Sequence, residues 1–177
     1  MANKVCVIGR AVCWRNAPFD DDSFEFWGMG SITTAHDLDQ FTRWYEVHNY
    51  EDVKKDGRVS RNFKLLRDYP EKFWVLDERF TGANRIEYMA SSEPSFYLTG
   101  TPAYVLNDIY AMPKPPAEVH LYGVVQNAAH EYASQRVGTQ HFLRLLKQIG
   151  VKVTVHGKTT LLEQNWPSYP MGGAWLT

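Results

Sequence analysis

The stretch Lys4–Ile8, with the sequence KVCVI, is followed at once by Gly9, and this pair of features decides the expected fold. The stretch is apolar almost throughout, as is typical of a parallel strand that is covered on both faces. A glycine directly after such a strand allows the backbone to approach a ligand closely. On either side of this unit the chain alternates short apolar runs with amphipathic stretches, which indicates repeated βαβ units.

Five further short runs are predicted to be strands because they are rich in apolar, β-branched and aromatic residues. They are Phe24–Met29, Arg43–His48, Phe73–Leu76, Glu118–Val124 and Lys152–His156. The predicted helices are Leu38–Thr42, Ser60–Asp68, Thr99–Met112 and Glu131–Ile149. In the last of them, apolar residues from Phe142 to Ile149 follow the i, i+3, i+4, i+7 spacing of one helix face.

These elements together predict an α/β fold. We expect a single three-layer, Rossmann-like domain over residues 1–177, with an open, mainly parallel sheet of five or six strands and helices on both faces. Residues 163–177 form a tail that contains two tryptophans and has no regular period. We expect this tail to cover part of its own sheet, and docking on a partner is the alternative.

Composition excludes several classes of protein. The 177 residues carry 19 Lys+Arg against 20 Asp+Glu, and this near balance argues against a nucleic-acid coat protein. No apolar run approaches the ~20 residues that span a bilayer, so neither a signal peptide nor a membrane anchor is expected. The two cysteines are too few for a disulfide scaffold or a zinc knuckle, and they favour a reducing, cytoplasmic location. No metal or cofactor is expected, and the oligomeric state stays open.

Ligands of open parallel sheets bind beyond the carboxyl ends of the strands, where the strand order reverses. This rule selects four loops, which follow Ile8, Met29, His48 and Val124. The first carries Gly9 and Arg10, which suit a phosphate, although a tight turn with a solvated arginine explains them equally well. The second carries Gly28, Met29 and Gly30, where a simple turn is again the alternative. Neither loop contains G-x-G-x-x-G or a P-loop.

The third loop follows His48, a candidate for general acid–base catalysis because an unperturbed imidazole titrates near neutrality. A surface or packed histidine is the alternative. The fourth loop is the densest polar cluster, and it runs from a strand end into the first turns of a helix. Its candidate site residues are Gly123, Gln126, Asn127, His130, Glu131, Tyr132 and Arg136. They offer proton donors, acceptors and anion-binding groups, whereas the alternative is a hydrophilic loop that leads into a helix.

The segment Thr99, Gly100 and Thr101 stands directly before a predicted helix. Two hydroxyls, a glycine and the positive end of a helix dipole together suit a phosphate. A helix N-cap without any ligand is the alternative explanation.

The order of Leu98–Thr101, the strand Val119–Val124 and the pair Tyr132-Ala133 resembles the second half of the bacterial family-42 sialyltransferases. Related small Rossmann-like proteins, often encoded by tailed phages, are similar. The resemblance implies a nucleotide held by the loop at Gly9, by the end of the second strand and by residues 99–101, with Tyr132 near the phosphate. The lid segment that carries the catalytic histidine of that family has no counterpart here.

These patterns favour a nucleotide- or nucleotide-sugar-binding enzyme of glycosyltransferase-like type that acts at a phosphate or an anomeric carbon, either as a transferase or as a nucleotide-processing hydrolase. His130 or His48 would transfer protons, with Glu131 as the orienting carboxylate. Arg10 and Arg136 would stabilise phosphate charge. The alternatives are a non-catalytic module that sequesters a nucleotide and a protein-interaction or inhibitor protein. If the chain is phage-encoded, its compartment would be the host cytoplasm.

Overall fold

A computed structural model describes residues 3–31, 37–55, 60–86, 97–126, 131–159 and 161. For residues 60–61 and 131–133 it describes the helix but not the side chains. Within these ranges, seven strands form one open sheet in which every neighbouring pair is parallel. The strands are β1 (Lys4–Ile8), β2 (Phe24–Met29), β3 (Arg43–Glu46), β4 (Phe73–Val75), β5 (Asn84–Arg85), β6 (Glu118–Tyr122) and β7 (Lys152–Val155).

Four α-helices lie within the described ranges, and short 3-10 turns supplement them at Val12–Asn16, Leu38–Gln40 and Pro70–Lys72. The helices are α1 (Tyr50–Lys55), α2 (Ser60–Asp68), α3 (Thr101–Ala111) and α4 (Glu131–Gln148). The predicted α/β class, with a Rossmann-like parallel sheet, is therefore confirmed. None of these helices combines the length and the apolar composition that crossing a membrane requires.

The sheet is covered on both faces, which explains why β1 is apolar and buried from Val5 to Ile8. Val5 and Val7 belong to a core cluster that includes buried residues of α3 and α4. Cys6 and Ile8 point to the other face, where the cluster includes residues of α1, α2 and the 3-10 turn at Val12–Asn16. Because successive side chains of a strand alternate between faces, a strand with helices on both sides needs an apolar residue at every position.

The prediction of five or six strands is wrong because it omits β5, a strand of two polar residues that pairs with β4 and shows no apolar run. The predicted helix at Leu38–Thr42 is only a 3-10 turn, and helix α1 was not predicted. β3 ends at Glu46 instead of His48 because the Glu46 side chain accepts a hydrogen bond from the His48 backbone N–H at 3.1 Å. β6 ends before Gly123, whose φ of +72° is incompatible with a continuing strand.

The strand order β5-β4-β3-β2-β1-β6-β7 fixes where a crevice opens. From β1 the chain builds outward to β5, and it then returns to the other side of β1 as β6. The strand order therefore reverses between β1 and β6. The ends of these two strands therefore mark the position where open α/β sheets bind their ligands.

Candidate functional site

Two glycines join the loops at the switch point. The Gly9 N–H donates to the carbonyl of Tyr122 at 2.7 Å, and the Ala11 N–H donates to the carbonyl of Gly123 at 3.0 Å. A Cβ atom on Gly9 would lie 2.5 Å from the Gly123 carbonyl oxygen, which is closer than any normal contact. Both positions need glycine, Gly9 for space and Gly123 also for its positive φ. The structure thus brings together two of the predicted binding residues.

Gln126 lies three residues beyond Gly123 and combines two unusual features. Its backbone has a φ of +43°, and it is the one non-glycine residue among those described with positive φ. Its side chain is buried, with only 7% of the residue exposed, yet neither its amide oxygen nor its amide nitrogen has a hydrogen-bond partner within the described ranges. An unpaired buried polar group costs roughly 1–3 kcal/mol, and residues held in such sparsely populated backbone regions are concentrated at functional sites.

The loop after β2 reaches the same place through Arg10. Gly30 has a φ of +76°, and a Cβ atom there would lie 3.4 Å from Cδ of Arg10. Nη1 of Arg10 donates a long hydrogen bond of 3.5 Å to Oγ of the buried Ser31. The guanidinium group therefore extends from the β1 loop to the β2 loop. This arrangement places a positive charge beside the crevice.

Gly28 and Met29 lie in the core instead. The space that a side chain on Gly28 would need is filled by the indole ring of Trp44, whose Cε3 atom would be 2.1 Å from an added Cβ. Met29 is buried in the cluster that packs under α3 and α4. Among the three residues predicted at the end of β2, only Gly30 therefore faces Arg10.

A hydrogen-bonded chain of polar groups occupies the carboxyl end of β3. Glu46 is buried, with 1% of its side chain exposed, and its Oε1 lies 2.5 Å from Nδ1 of His48. Its Oε2 accepts a hydrogen bond of 2.7 Å from Nδ2 of the fully buried Asn62. Nδ2 of Asn62 also donates to the Gly30 carbonyl at 2.9 Å, as does Nε1 of Trp44. His48 is half-exposed at the end of this chain.

Sequence reasoning selected His48 but missed Glu46 and Asn62. Glu46 carried a usable signal, since it is the single carboxylate in the otherwise apolar and aromatic end of a predicted strand. A charge at a buried strand position requires a partner, and its presence is an indication of function or of a specific ion pair. Asn62 carried no such signal, because an asparagine in the first half of a helix is ordinary.

The predicted segment at residues 99–101 contacts α4. Oγ1 of Thr99 donates to the carbonyl of Gln135 at 3.0 Å, and Gly100 lies against the Gln135 side chain. Gly138 allows this approach, because a Cβ atom there would lie 1.9 Å from the Tyr97 carbonyl oxygen. α3 begins at Thr101 instead of the predicted Thr99, and its N-cap is Gly100, which supplies no side-chain hydrogen bond, so that neither threonine is the cap. The helix N-termini of α3 and α4 are thus neighbours at the carboxyl edge of the sheet.

The remaining predicted residues belong to the fourth loop and to α4. Asn127 and His130 lie outside the described residues. Glu131 and Tyr132 open α4, and their side chains are not described. Arg136 is half-buried in the second turn of the same helix. The turn of α4 that carries Gln135 therefore lies beside Thr99.

Two further histidines, His120 and His156, lie on β6 and directly after β7. Nδ1 of His120 is 3.1 Å from Nε2 of His156, and Nε2 of His120 is 3.1 Å from Oε2 of Glu118. The His156 ring also stacks on Tyr122 at 3.9 Å between ring centroids. Burial, together with the neighbouring His120, lowers the pKa of His156 below its ordinary value. These contacts are part of the packing between β6 and the residue that follows β7.

We expect replacement of His156 by glutamine to reduce the pH dependence of stability just below neutrality. A histidine with a lowered folded pKa is protonated first in the unfolded chain, so the free energy of unfolding falls as pH drops below about 6.5 and levels off below the folded pKa. Urea unfolding of H156Q at a series of pH values from about 7 to 5 should show a smaller loss than the wild type. If the free energy of unfolding fell with pH as steeply in H156Q as in the wild type, the lowered pKa of His156 would be contradicted.

Asp77 provides the matched control in a different pH window. Its carboxylate accepts hydrogen bonds from the Arg79 side chain and from the backbone N–H groups of Tyr50 and Arg79, and these contacts hold its pKa well below the ordinary range. Stability from a lowered carboxyl pKa is present above the unfolded pKa of about 4 and is lost as pH falls further. Asp77→Asn should therefore change the free energy of unfolding below about pH 4 and leave its pH dependence between about pH 5 and pH 7 unchanged.

Within the described ranges no group of three histidine, cysteine or carboxylate side chains has the arrangement of a metal site. Both cysteines are free thiols, and burial raises the pKa of Cys6 to about 12, so that this thiol stays protonated. No protein-family model, no curated protein and no solved structure matches the chain. The open, all-parallel seven-stranded α/β sheet of the described residues is therefore what the fold establishes, without assignment to a family.

Proposed function

We propose that this protein binds a nucleotide or a nucleotide-sugar in the crevice between the ends of β1 and β6. The observation that carries the proposal is Gln126. Its side-chain amide is buried at the switch point without a partner among the described residues, on a backbone held at positive φ. An amide offers one acceptor and two donors in one plane, and this matches the edge of a base or a pair of sugar hydroxyls.

The surroundings of Gln126 support a phosphate as the second part of the ligand. Gly9 and Gly123 allow the two loops to pack closely beside Gln126, and neither adds a side chain there. Arg10 supplies a guanidinium group beside them, and guanidinium groups pair with phosphate through two parallel hydrogen bonds. A ligand with a polar planar end and an anionic end fits this division of chemistry, and a nucleotide has both.

The proposed reaction is transfer or cleavage of a group at a phosphate or at an anomeric carbon. His48 supports this proposal because it is a half-exposed imidazole at the same edge of the sheet, in contact with a buried carboxylate. The resemblance of residues 98–133 to the family-42 sialyltransferases is a second, weaker support, and it favours a nucleotide-sugar as the substrate. Arg136 and Tyr132, in the first turns of α4, are proposed to contact the phosphate.

The test is a thermal-shift panel of nucleoside monophosphates, nucleoside diphosphates and nucleotide-sugars, followed by calorimetry with the best ligand. A ligand at 100 times its Kd should stabilise the protein by about 2.7 kcal/mol. Gln126→Leu should weaken binding by at least about tenfold, since each lost hydrogen bond to an uncharged group contributes roughly 0.5–1.5 kcal/mol and the amide can make up to three.

The same variant has a second expected effect, on the protein without ligand. Leucine has nearly the volume of glutamine but no buried amide, so Q126L should raise the free energy of unfolding by about 1 kcal/mol. Gln148→Leu, at the exposed end of α4, is the matched control and should change neither quantity. The proposal fails if no ligand of the panel shifts the melting temperature and Q126L is destabilised. Binding without any product in the mass spectrum would identify a sequestering module instead.

A further inference from the structure

The carboxylate of Glu46 is buried, and its described hydrogen bonds lead to two residues, His48 and Asn62. Oε2 accepts from Asn62, while Oε1 accepts from the His48 backbone N–H at 3.1 Å and contacts Nδ1 of His48 at 2.5 Å. A buried carboxylate without such partners would be strongly destabilising, so the arrangement requires each of them. With Nδ1–H donated to the carboxylate, the lone pair of the imidazole is at Nε2.

A buried carboxylate that orients a partly exposed imidazole is an arrangement suited to proton transfer. The carboxylate fixes the tautomer and the ring orientation, and it stabilises the imidazolium that forms when Nε2 takes a proton. Asn62 holds the carboxylate from the other side and is itself attached to the Gly30 carbonyl. A continuous hydrogen-bonded path therefore runs from the loop after β2 to the ring of His48.

The position of this pair suits a ligand bound at the switch point. β3 is two strands away from β1 in the sheet order, and neighbouring strands lie about 4.8 Å apart. The end of β3 is therefore about 10 Å from the end of β1 along the same edge of the sheet. A nucleotide held at Gly9 and Gln126 and extended along this edge would bring its reacting end toward His48.

We propose that His48 is the general base of this site and that Glu46 and Asn62 are its positioning residues. The inference rests on the proposed binding of a nucleotide or nucleotide-sugar. It adds the nature of the second reactant, which is a hydroxyl nucleophile, either water or a hydroxyl group of an acceptor sugar. Nε2 of His48 removes the proton of that hydroxyl as its oxygen forms a bond to the phosphorus or the anomeric carbon. The bond to the leaving phosphate oxygen breaks, and its electron pair stays on that oxygen.

The balance of this step needs no further reactant. In a nucleoside diphosphate or a nucleotide-sugar, the two substrates to which this step applies, the leaving group is a phosphate or phosphate-ester anion, so it requires no proton to depart. The proton on His48 is returned to solvent, to which the half-exposed ring has access. General base catalysis of this kind contributes about 10²- to 10⁴-fold to a rate.

Nitrogen-15 NMR of the imidazole tests the positioning role without any substrate. In the wild type at neutral pH, the chemical shifts of His48 should show the tautomer with its proton on Nδ1. In Glu46→Gln, the side-chain oxygen is needed by the Asn62 donor, and the amide N–H₂ then faces Nδ1. The tautomer with its proton on Nε2 should therefore predominate in E46Q. An unchanged tautomer in E46Q would overturn the roles of Glu46 and His48 as a pair.

Kinetics with the best ligand from the nucleotide panel tests the catalytic role. His48→Gln should lower turnover by about 100-fold or more, with the Kd for the ligand changed by less than about threefold. His156→Gln is the matched control and should retain the wild-type turnover. Adding acceptor sugars to the wild-type reaction shows whether water or a sugar hydroxyl is the nucleophile.

The outcomes separate this inference from the proposed function. Nucleotide binding with equal turnover in H48Q and in the wild type would overturn the inference and leave the binding site standing. Binding without turnover in the wild type would also overturn it. Absence of nucleotide binding would overturn the proposed function, whereas the NMR result on E46Q would still report on the pair of side chains.

Discussion

Replacing Gly28 by alanine should lower the free energy of unfolding by at least about 3 kcal/mol, near the upper end of the range for overpacked cores. The added Cβ would lie 2.1 and 2.2 Å from two atoms of the Trp44 indole ring. That ring is buried, and its Nε1 donates to the Gly30 carbonyl at 2.9 Å, so it has no free direction in which to move. In a protein of this size the loss corresponds to about 6–12 °C in melting temperature.

A double-mutant cycle shows whether the indole ring is the cause. Trp44→Leu removes the six-membered ring and is destabilising by itself, because it leaves a cavity in the core. In that background Gly28→Ala should cost much less than in the wild type, so the two changes should be strongly non-additive. Gly150→Ala is the comparison for strain without a clash, because Gly150 has a φ of +87° and nothing within 4 Å of an added Cβ, and it should cost less than G28A. Equal costs of G28A in both backgrounds would contradict the explanation.

The core of the fold was predictable because its pattern is local. β1, β2 and α2 have the predicted bounds, since apolar runs covered on both faces and an amphipathic nine-residue helix are visible in a few neighbouring residues. The rule that ligands of parallel sheets bind beyond the carboxyl ends of the strands directs attention to the loops after β1 and β6, among others. The contact between Gly9 and Gly123 confirms that the two loops lie together.

The parts that sequence reasoning missed depend on contacts between distant residues. Nothing near Gly28 shows that an indole ring 16 positions later occupies its missing side chain. The partner of Glu46 on its other side is Asn62, which comes from a helix that follows the strand. β5 has two polar residues, and only its pairing with β4 makes it a strand. Site residues that act through such partners become visible only when the strands are placed side by side.

The second large effect is expected at Asp108, whose replacement by alanine should cost about 2–4 kcal/mol. The carboxylate accepts a hydrogen bond from Nη1 of Arg43 at 3.0 Å and a short one from the hydroxyl of the buried Tyr45. The Arg43 guanidinium also lies over the rings of Trp27 and Trp74, at 4.1 and 4.7 Å from the ring centroids. Without Asp108, a partly buried cation and a buried phenol both lose their acceptor, and α3 loses its polar attachment to β3.

Three further variants separate the contributions of the Asp108 charge and of the Tyr45 hydrogen bond to stability, and each is measured by urea unfolding. Asp108→Asn keeps an acceptor oxygen and should cost less than D108A, while Tyr45→Phe removes one hydrogen bond and should cost about 1 kcal/mol. Asp68→Ala is the matched control, because Asp68 pairs with Arg67 on the surface and such pairs contribute less than about 1 kcal/mol. A cost of D108A equal to that of D68A would show that the cluster does not hold α3 to the sheet.

The same cluster predicts how stability changes at alkaline pH. Burial, reinforced by the charge of Asp108, raises the pKa of Tyr45 well above its ordinary value of about 10. The folded state therefore keeps its phenol proton after an unfolded chain would have lost it, and the free energy of unfolding should fall as pH rises above about 10. Y45F should remove this part of the fall. In the wild type, the phenolate absorbance of one tyrosine should appear only as the protein unfolds, and its appearance in the folded protein would contradict the buried hydrogen bond to Asp108.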